Sequence, residues 1–223
     1  MKKLLFIALM TPALAMAQPA SQVVWKPEVL NRVKNGNLNK GKELAESCTS
    51  CHGDKGQGVK EEARDDEILP AVPALAGQLA NYTYKQLRDY FDGSRSDGSM
   101  TSIAKGLTEQ DAADLAVWFS SLPATPQNTA GDRNLGRAEK MVEEGDGKRI
   151  LPPCFVCHGA KGQGEKMDIP ALAGQQADYF ARTLSAYKND QRHNDIYSRM
   201  RLIAKQLSDE EIKELAQYYQ QLK

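Results

Sequence analysis

The chain has 223 residues, with 29 Lys and Arg balanced by 29 Asp and Glu and a formal charge of zero. That balance argues against a broadly basic surface for nucleic acid. After residue 17 no apolar run approaches the ~20 residues that a membrane-spanning helix needs.

At the N-terminus, Lys2 and Lys3 precede an apolar run from Leu4 to Ala15, and Ala15-Met16-Ala17 reads as a small-x-small cleavage site. Residues 1–17 are therefore expected to be a secretory signal peptide, placing the mature protein in the periplasm. Cleavage would leave 206 residues and, without Lys2 and Lys3, 27 basic groups against 29 acidic ones, a net charge of −2. Residues 18–38 form an extension, in which Trp25, Val29, Leu30 and Val33 read as an amphipathic piece that packs on a domain rather than docking a partner.

From residue 39 the chain is written twice. CTSCHGDKGQG at Cys48 returns as CFVCHGAKGQG at Cys154, PALAGQLANYTYKQL at Pro73 returns as PALAGQQADYFARTL at Pro170, and the stretch from Met100 matches the stretch from Met200 at an offset of 100. The spacing predicts a tandem duplication over 39–123 and 135–223, with the polar segment 124–134 as linker. Helices are expected over 81–91 and 178–187. Thr108 with Asp111 and Ser208 with Glu211 are N-terminal capping pairs. Ala112, Leu115, Phe119 and Leu122, with counterparts Ile212, Leu215, Tyr219 and Leu222, fall on one helix face. No period-2 strand is evident, so each half reads as a small all-α domain with a modest core that needs a staple.

The motif supplies that staple. Cys48 and Cys51 stand at i and i+3 on a helical turn with His52 beside them, and Cys154, Cys157 and His158 repeat the arrangement. C-x-x-C-H is the attachment signal for haem c: two thiols bind the porphyrin edge and the imidazole reaches the iron. A shared four-thiolate zinc site usually spaces its pairs ~15–20 residues apart, whereas 102 residues separate Cys51 from Cys154 here. A thioredoxin-like dithiol needs a βαβ setting that the pattern lacks. The cofactor expectation is two covalently bound haem c groups. For the second axial ligand, Met100 and Met200 occupy matching places and are preferred. Met141 reads as core, and Met167 stays open. His193 reads as a surface histidine, with a pH-dependent group near the second haem as the other reading.

On these motifs the halves resemble the dihaem cytochrome c4 family over about 39–223. The residues that carry the resemblance are CTSCHG and CFVCHG, the paired PALAGQ segments, and the helices of Met100 and Met200 with their leads Gly93–Arg95 and Asp190–Arg192. It implies an all-α fold of two tandem class I cytochrome c-type domains, joined by a short linker and related by a pseudo-twofold axis, with haem propionates facing across the interface. By the same resemblance, the Pro73 and Pro170 carbonyls meet the inner ring nitrogens of His52 and His158, and Leu75 and Leu172 pack on the haems. Tyr82, Tyr179, Arg95 and Arg192 lie near haem edges or propionates, although both arginines read equally well as solvated loop charges. The implied role is non-enzymatic electron transfer with redox proteins. The donor would be a quinol-oxidising cytochrome bc complex and the acceptor a terminal oxidase or reductase; alternatively the chain would be the cytochrome subunit of a periplasmic dehydrogenase. Membrane association would be peripheral at most. A dihaem peroxidase is the enzymatic alternative. Thiosulfate-oxidising relatives use a cysteine ligand, and every cysteine here is committed; a gas sensor would need an output domain.

The extension and an acidic insertion at 59–72 depart from the family pattern. The insertion carries Glu61, Glu62, Asp65, Asp66 and Glu67, with Asp54 just ahead. It reads as a solvated loop, or as a docking patch for a basic partner.

Overall fold

In the computed structural model the described residues are 20–65, 67–124, 135–165 and 167–222. The expected signal peptide, and the linker beyond Ala124, lie outside them. The first half is built from α2 (Leu38–Ala45), α3 (Thr49–His52), α4 (Ala80–Asp92), α5 (Met100–Lys105) and α6 (Glu109–Ser121), preceded by α1 (Pro27–Lys34) from the extension. The second half repeats the plan with α7 (Gly136–Glu144), α8 (Phe155–His158), α9 (Ala177–Lys188), α10 (Arg199–Ala204) and α11 (Asp209–Gln221).

Local chemistry explains the helix boundaries. Thr108 and Ser208 each accept the backbone N–H three residues on, while Asp111 and Glu211 reach back to the cap, completing a capping box at the start of α6 and α11. A good cap contributes about 1 kcal/mol. The apolar stripe of each capped helix then turns inward: Ala112, Leu115 and Phe119, and Ile212, Leu215 and Tyr219, are all buried. In the first half α6 is crossed by α2 and flanked by α4; in the second, α11 packs on α7 and α9. Met141 is buried in the second core, as the lack of a matching methionine in the first half suggested.

The extension is a packed element. Val33 is 1% exposed among Ala112, Ala113 and Ala116, and Trp25 and Val29 pack against the same cluster. The rings of Trp25 and Tyr84 lie 6.5 Å apart, centroid to centroid. Burying one valine is worth ~1.5–3 kcal/mol, so α1 belongs structurally to the first half. Leu30 is only half-buried and lies outside this cluster.

The structure corrects the strand-free reading of the insertion. Glu62–Arg64 (β1) pairs antiparallel with Glu67–Leu69 (β2), and Val59 bridges Val72 at the hairpin's base. Both strands are wholly exposed, and Ile68 is 68% exposed. Three-residue strands studded with charge carry too little alternation to be read as β from sequence.

Where α2 crosses α6 the backbones touch. A Cβ built on Gly41 would stand 2.1 Å from the carbonyl oxygen of Asp114 and 2.8 Å from Cβ of Trp118. Backbone atoms cannot swing aside, so Gly41→Ala is expected to destabilise the first half by about 1–3 kcal/mol. Denaturant unfolding followed at Trp118 checks this; an unchanged midpoint would show that the crossing tolerates a methyl group.

Candidate haem sites and the interface between them

Each C-x-x-C-H segment folds as one tight turn. Cys48 precedes α3 and Cys154 precedes α8, and each short helix ends at its histidine. The following glycines, Gly53 and Gly159, both have φ of +81° with ψ near 155°, a region essentially reserved for glycine. The chain then doubles back: Gly58 N–H donates to the His52 carbonyl at 2.7 Å, and Gly164 N–H to that of His158 at 2.8 Å. This return brings the proline carbonyls to the imidazoles. His52 Nδ1 lies 2.9 Å from the Pro73 carbonyl oxygen, and His158 Nδ1 lies 2.9 Å from that of Pro170.

A carbonyl oxygen only accepts, so each Nδ1 carries the proton and each Nε2 is left with its lone pair, the form that binds a metal. Both rings are buried, and burial lowers the pKa of both below the ordinary histidine value, keeping them neutral. No disulfide joins the four cysteines. Burial raises the pKa of Cys48 and pushes that of Cys154 up to about 11. No cluster of three or more His, Cys, Asp or Glu forms a metal cage among the described residues, so the four cysteines do not converge on a shared zinc. Leu75 packs on the Ala45–Leu115–Phe119 cluster and Leu172 on the second core. Met100 and Met200 stand in matching places, in the first turns of α5 and α10, and both are half-buried. Met167 sits in a loop with φ of +72°.

Between the halves, paired residues exchange partners. Gln78 donates to the Ala171 carbonyl at 3.0 Å and accepts from Ala171 N–H at 2.8 Å. Gln175 does the same to Ala74, at 3.1 and 2.9 Å. Arg95 donates to the Tyr179 hydroxyl at 3.0 Å, and Arg192 to that of Tyr82 at 3.3 Å. Each guanidinium also lies over a tyrosine of its own half, Arg95 over Tyr90 and Arg192 over Tyr187, both at 4.6 Å. Residue i meeting j while j's counterpart meets i's is the signature of a twofold axis, here a pseudo-twofold within one chain. The symmetry is incomplete: Gln176, where the first half has Leu79, adds bonds to the Gln57 carbonyl at 2.6 Å and to Ala74 N–H at 3.0 Å.

The structure decides against the solvated reading of the arginines. Arg192 is 6% exposed and Arg95 is half-buried. Neither has a carboxylate partner among the described residues, and Nη1 of Arg192 is buried without any hydrogen bond. Burial opposes ionisation of the Tyr179 phenol, yet Arg95 and Arg192 outweigh it and pull its pKa down to about 7. Uncompensated positive charge beside an orphaned donor calls for an anion. Haem carries two propionates, and the chain offers, beside these cations, two thiol pairs and two imidazoles with free Nε2 atoms. The donor set fits haem.

A cytochrome c family model matches residues 38–123 and 145–223. A cytochrome c4 of Thiocapsa roseopersicina is 36% identical over 78% of this chain and 86% of its own length. The chain belongs to the dihaem cytochrome c4 family. A thiosulfate dehydrogenase electron acceptor of Stutzerimonas stutzeri (strain A1501) is 32% identical over 78% of each chain. The crystal structure of reduced recombinant cytochrome c4 from Pseudomonas stutzeri superposes with a TM-score of 0.74, at 31% identity, covering 84% of this chain and all of that one. As a dihaem c-type cytochrome the chain carries two covalent haem c groups, on Cys48 with Cys51 and on Cys154 with Cys157, and works as an electron carrier.

His193 is not the free surface group expected: it is half-buried, with Nδ1 2.9 Å from Nη1 of Arg201. Sequence reasoning assigned no role to Gln78, Gln175, Gln86, Asp89 or Asn194. The glutamine repeated in both PALAGQ segments was the one available signal. Gln175→Leu strands the C=O that Ala74 turns toward the second half and leaves its N–H to Gln176 alone; a buried unpaired group costs about 1–3 kcal/mol. The variant is expected to lower the denaturation midpoint of the holoprotein while leaving the spectrum of each haem intact. An unchanged midpoint would mean that Gln176 alone holds the Ala74 segment.

Proposed function

We propose that this cytochrome is a periplasmic shuttle whose irons are held by His52 with Met100 and by His158 with Met200. The observation that carries the reading is the imidazole–carbonyl bond, present at the same length in both halves. It orients a neutral ligand ring twice, at two sites joined through one shared interface. When bound, the haem iron supplies a single electron, cycling between ferrous and ferric states. The chain's own residues fix the imidazoles, keep the sites largely dry and set the charge around them. A methionine on the opposite face would hold the iron closed and raise its potential. Matching positions in a duplicated chain support Met100 and Met200 over Met141, which is committed to core packing, and over Met167, whose counterpart in the first half is Pro70.

The lysine-led apolar start and its cleavage site support export, and no described helix is long and apolar enough to cross a membrane. In the periplasm the donor would be a quinol-oxidising cytochrome bc complex and the acceptor a terminal oxidase or reductase. A second donor is supported by the relative named as the electron acceptor of thiosulfate dehydrogenase, which makes a periplasmic dehydrogenase the alternative source of electrons. In either case the chain transforms no substrate.

Optical spectra of the holoprotein test the ligand set. Both ferric haems are expected to show the weak red-end band of methionine ligation, and the ferrous protein is expected to ignore carbon monoxide. Met100→Ala and Met200→Ala should each open one haem to carbon monoxide and lower its potential. A wild-type haem that binds carbon monoxide readily would overturn the assignment and favour an enzyme or a sensor.

A further inference from the structure

Besides Gln176, the interface holds a buried ion pair with no counterpart across the pseudo-twofold. Lys85 and Asp89, on α4, are 1% and 0% exposed and lie 2.5 Å apart. Their counterparts in the second half are Arg182 and Ala186, so the pair belongs to one side alone. Lys85 also donates to the Asn194 carbonyl at 2.6 Å, and the Asn194 amide donates to Asp89 at 2.6 Å and to Gln86 at 2.9 Å. Asn194 in turn accepts from Nε of Arg192 at 2.8 Å, and Gln86 accepts from Nη2 of the same guanidinium at 2.9 Å. Arg192 is thus tied on two edges, leaving only Nη1 free. The other arginine is linked to the same helix: Arg95 N–H donates to the Asp89 backbone carbonyl at 2.9 Å.

The N-terminal extension closes this network from outside. The Ser21 hydroxyl donates to the second carboxylate oxygen of Asp89 at 2.5 Å, and the buried Ser94 hydroxyl holds the Ala20 carbonyl at 3.0 Å. Residues 20–26 therefore run from α1 to the boundary between the halves, where they touch a residue that holds both. A buried ion pair is a costly way to gain stability alone, since apolar replacements often do as well. Its observable consequence here is geometric.

We propose that Asp89 is a positioning residue. Braced by Lys85 and by Ser21 of the extension, it holds Asn194 and through it fixes Arg192 at the interface, so that the N-terminal segment sets the charge that the haem pair feels. The inference rests on the two-haem carrier reading. A fixed cation stabilises the ferrous state, which has one positive charge fewer; a cation released to solvent is screened and stabilises it less.

The experiment is a double-mutant cycle on the holoprotein, read as the potentials of both haems in an optical redox titration. Asn194→Ala and Arg192→Gln should each shift at least one haem toward the ferric state by about tenfold at fixed ambient potential, roughly the effect of a unit charge ~10 Å away in an effective dielectric of ~20. The double variant should shift no further than Arg192→Gln alone, because Asn194 acts through that arginine. Ser21→Ala, which removes a single half-buried hydroxyl and should leave the fold intact, should shift the same haem in the same direction by less. Additive shifts in the double variant would overturn the proposal. So would Ser21→Ala or Asn194→Ala leaving both potentials unchanged while Arg192→Gln moves one. If Asn194→Ala does not fold, Ser21→Ala decides. The red-end methionine band, recorded in the same titration, reports separately on the axial ligands, so a failed ligand assignment would not be mistaken for a failed positioning role.

Discussion

Two guanidiniums that share Gln86 between the halves, Arg192 buried and Arg95 half-buried, are the constraint around which the rest of the structure is arranged. Desolvating a cation costs several kcal/mol, and desolvating two beside one another costs more because they repel. The chain meets part of that cost with tyrosines: each arginine lies over a ring of its own half and donates to a hydroxyl of the other. It meets part with amides, through Gln86 and Asn194. It leaves one donor of Arg192 unpaired. An anion bound there would stabilise the docked halves, since whatever binds the docked state stabilises it.

The parts of this arrangement that the sequence made legible are those whose cause is local. C-x-x-C-H needs only a turn to align its thiols and imidazole. A Thr or Ser followed three residues later by an acid closes its own capping box, and Trp25, Val29 and Val33 recur at helical spacing. Lys85 and Asp89 show where this stops. They stand four apart on α4, the spacing of an ordinary surface ion pair, and it is the second half and the extension, both distant in sequence, that cover them. Arg95 and Arg192 stayed ambiguous for the same reason, because exposure is a property of the packed pair of domains. His193 failed as a surface reading because its partner, Arg201, lies on the following helix, and loop geometry alone brings the two together. The hairpin at 62–69 was missed because its strands are too short and too charged to show a period.

Duplication would give two equivalent electron-transfer sites, and a relay between equivalent sites has no preferred direction. Where the halves differ matters more than where they agree. The backbone scaffold is kept nearly identical around both histidines, down to the glycine torsions and the carbonyl bond. The differences lie one step away: Gln176 for Leu79, Asp89 for Ala186, and Tyr219 for Phe119 beside the haem motif. Tyr219 is 1% exposed, its hydroxyl lacks a partner of good geometry, and it neighbours Cys154, whereas Phe119 has no hydroxyl to offer. Changes at this distance leave the motif residues alone and alter the local field, one of the means by which a protein tunes haem potential.

The same reasoning explains why the extension touches the interface rather than merely covering α4 and α6. A segment packed only on the first half would add stability to that half and nothing more. By bonding to Asp89 through Ser21, it reaches the residue whose side chain serves the second half and whose backbone carbonyl holds Arg95 of the first. An asymmetric strap on a symmetric scaffold acts on the relation between the two sites, and in a two-centre carrier that relation determines which centre holds the electron.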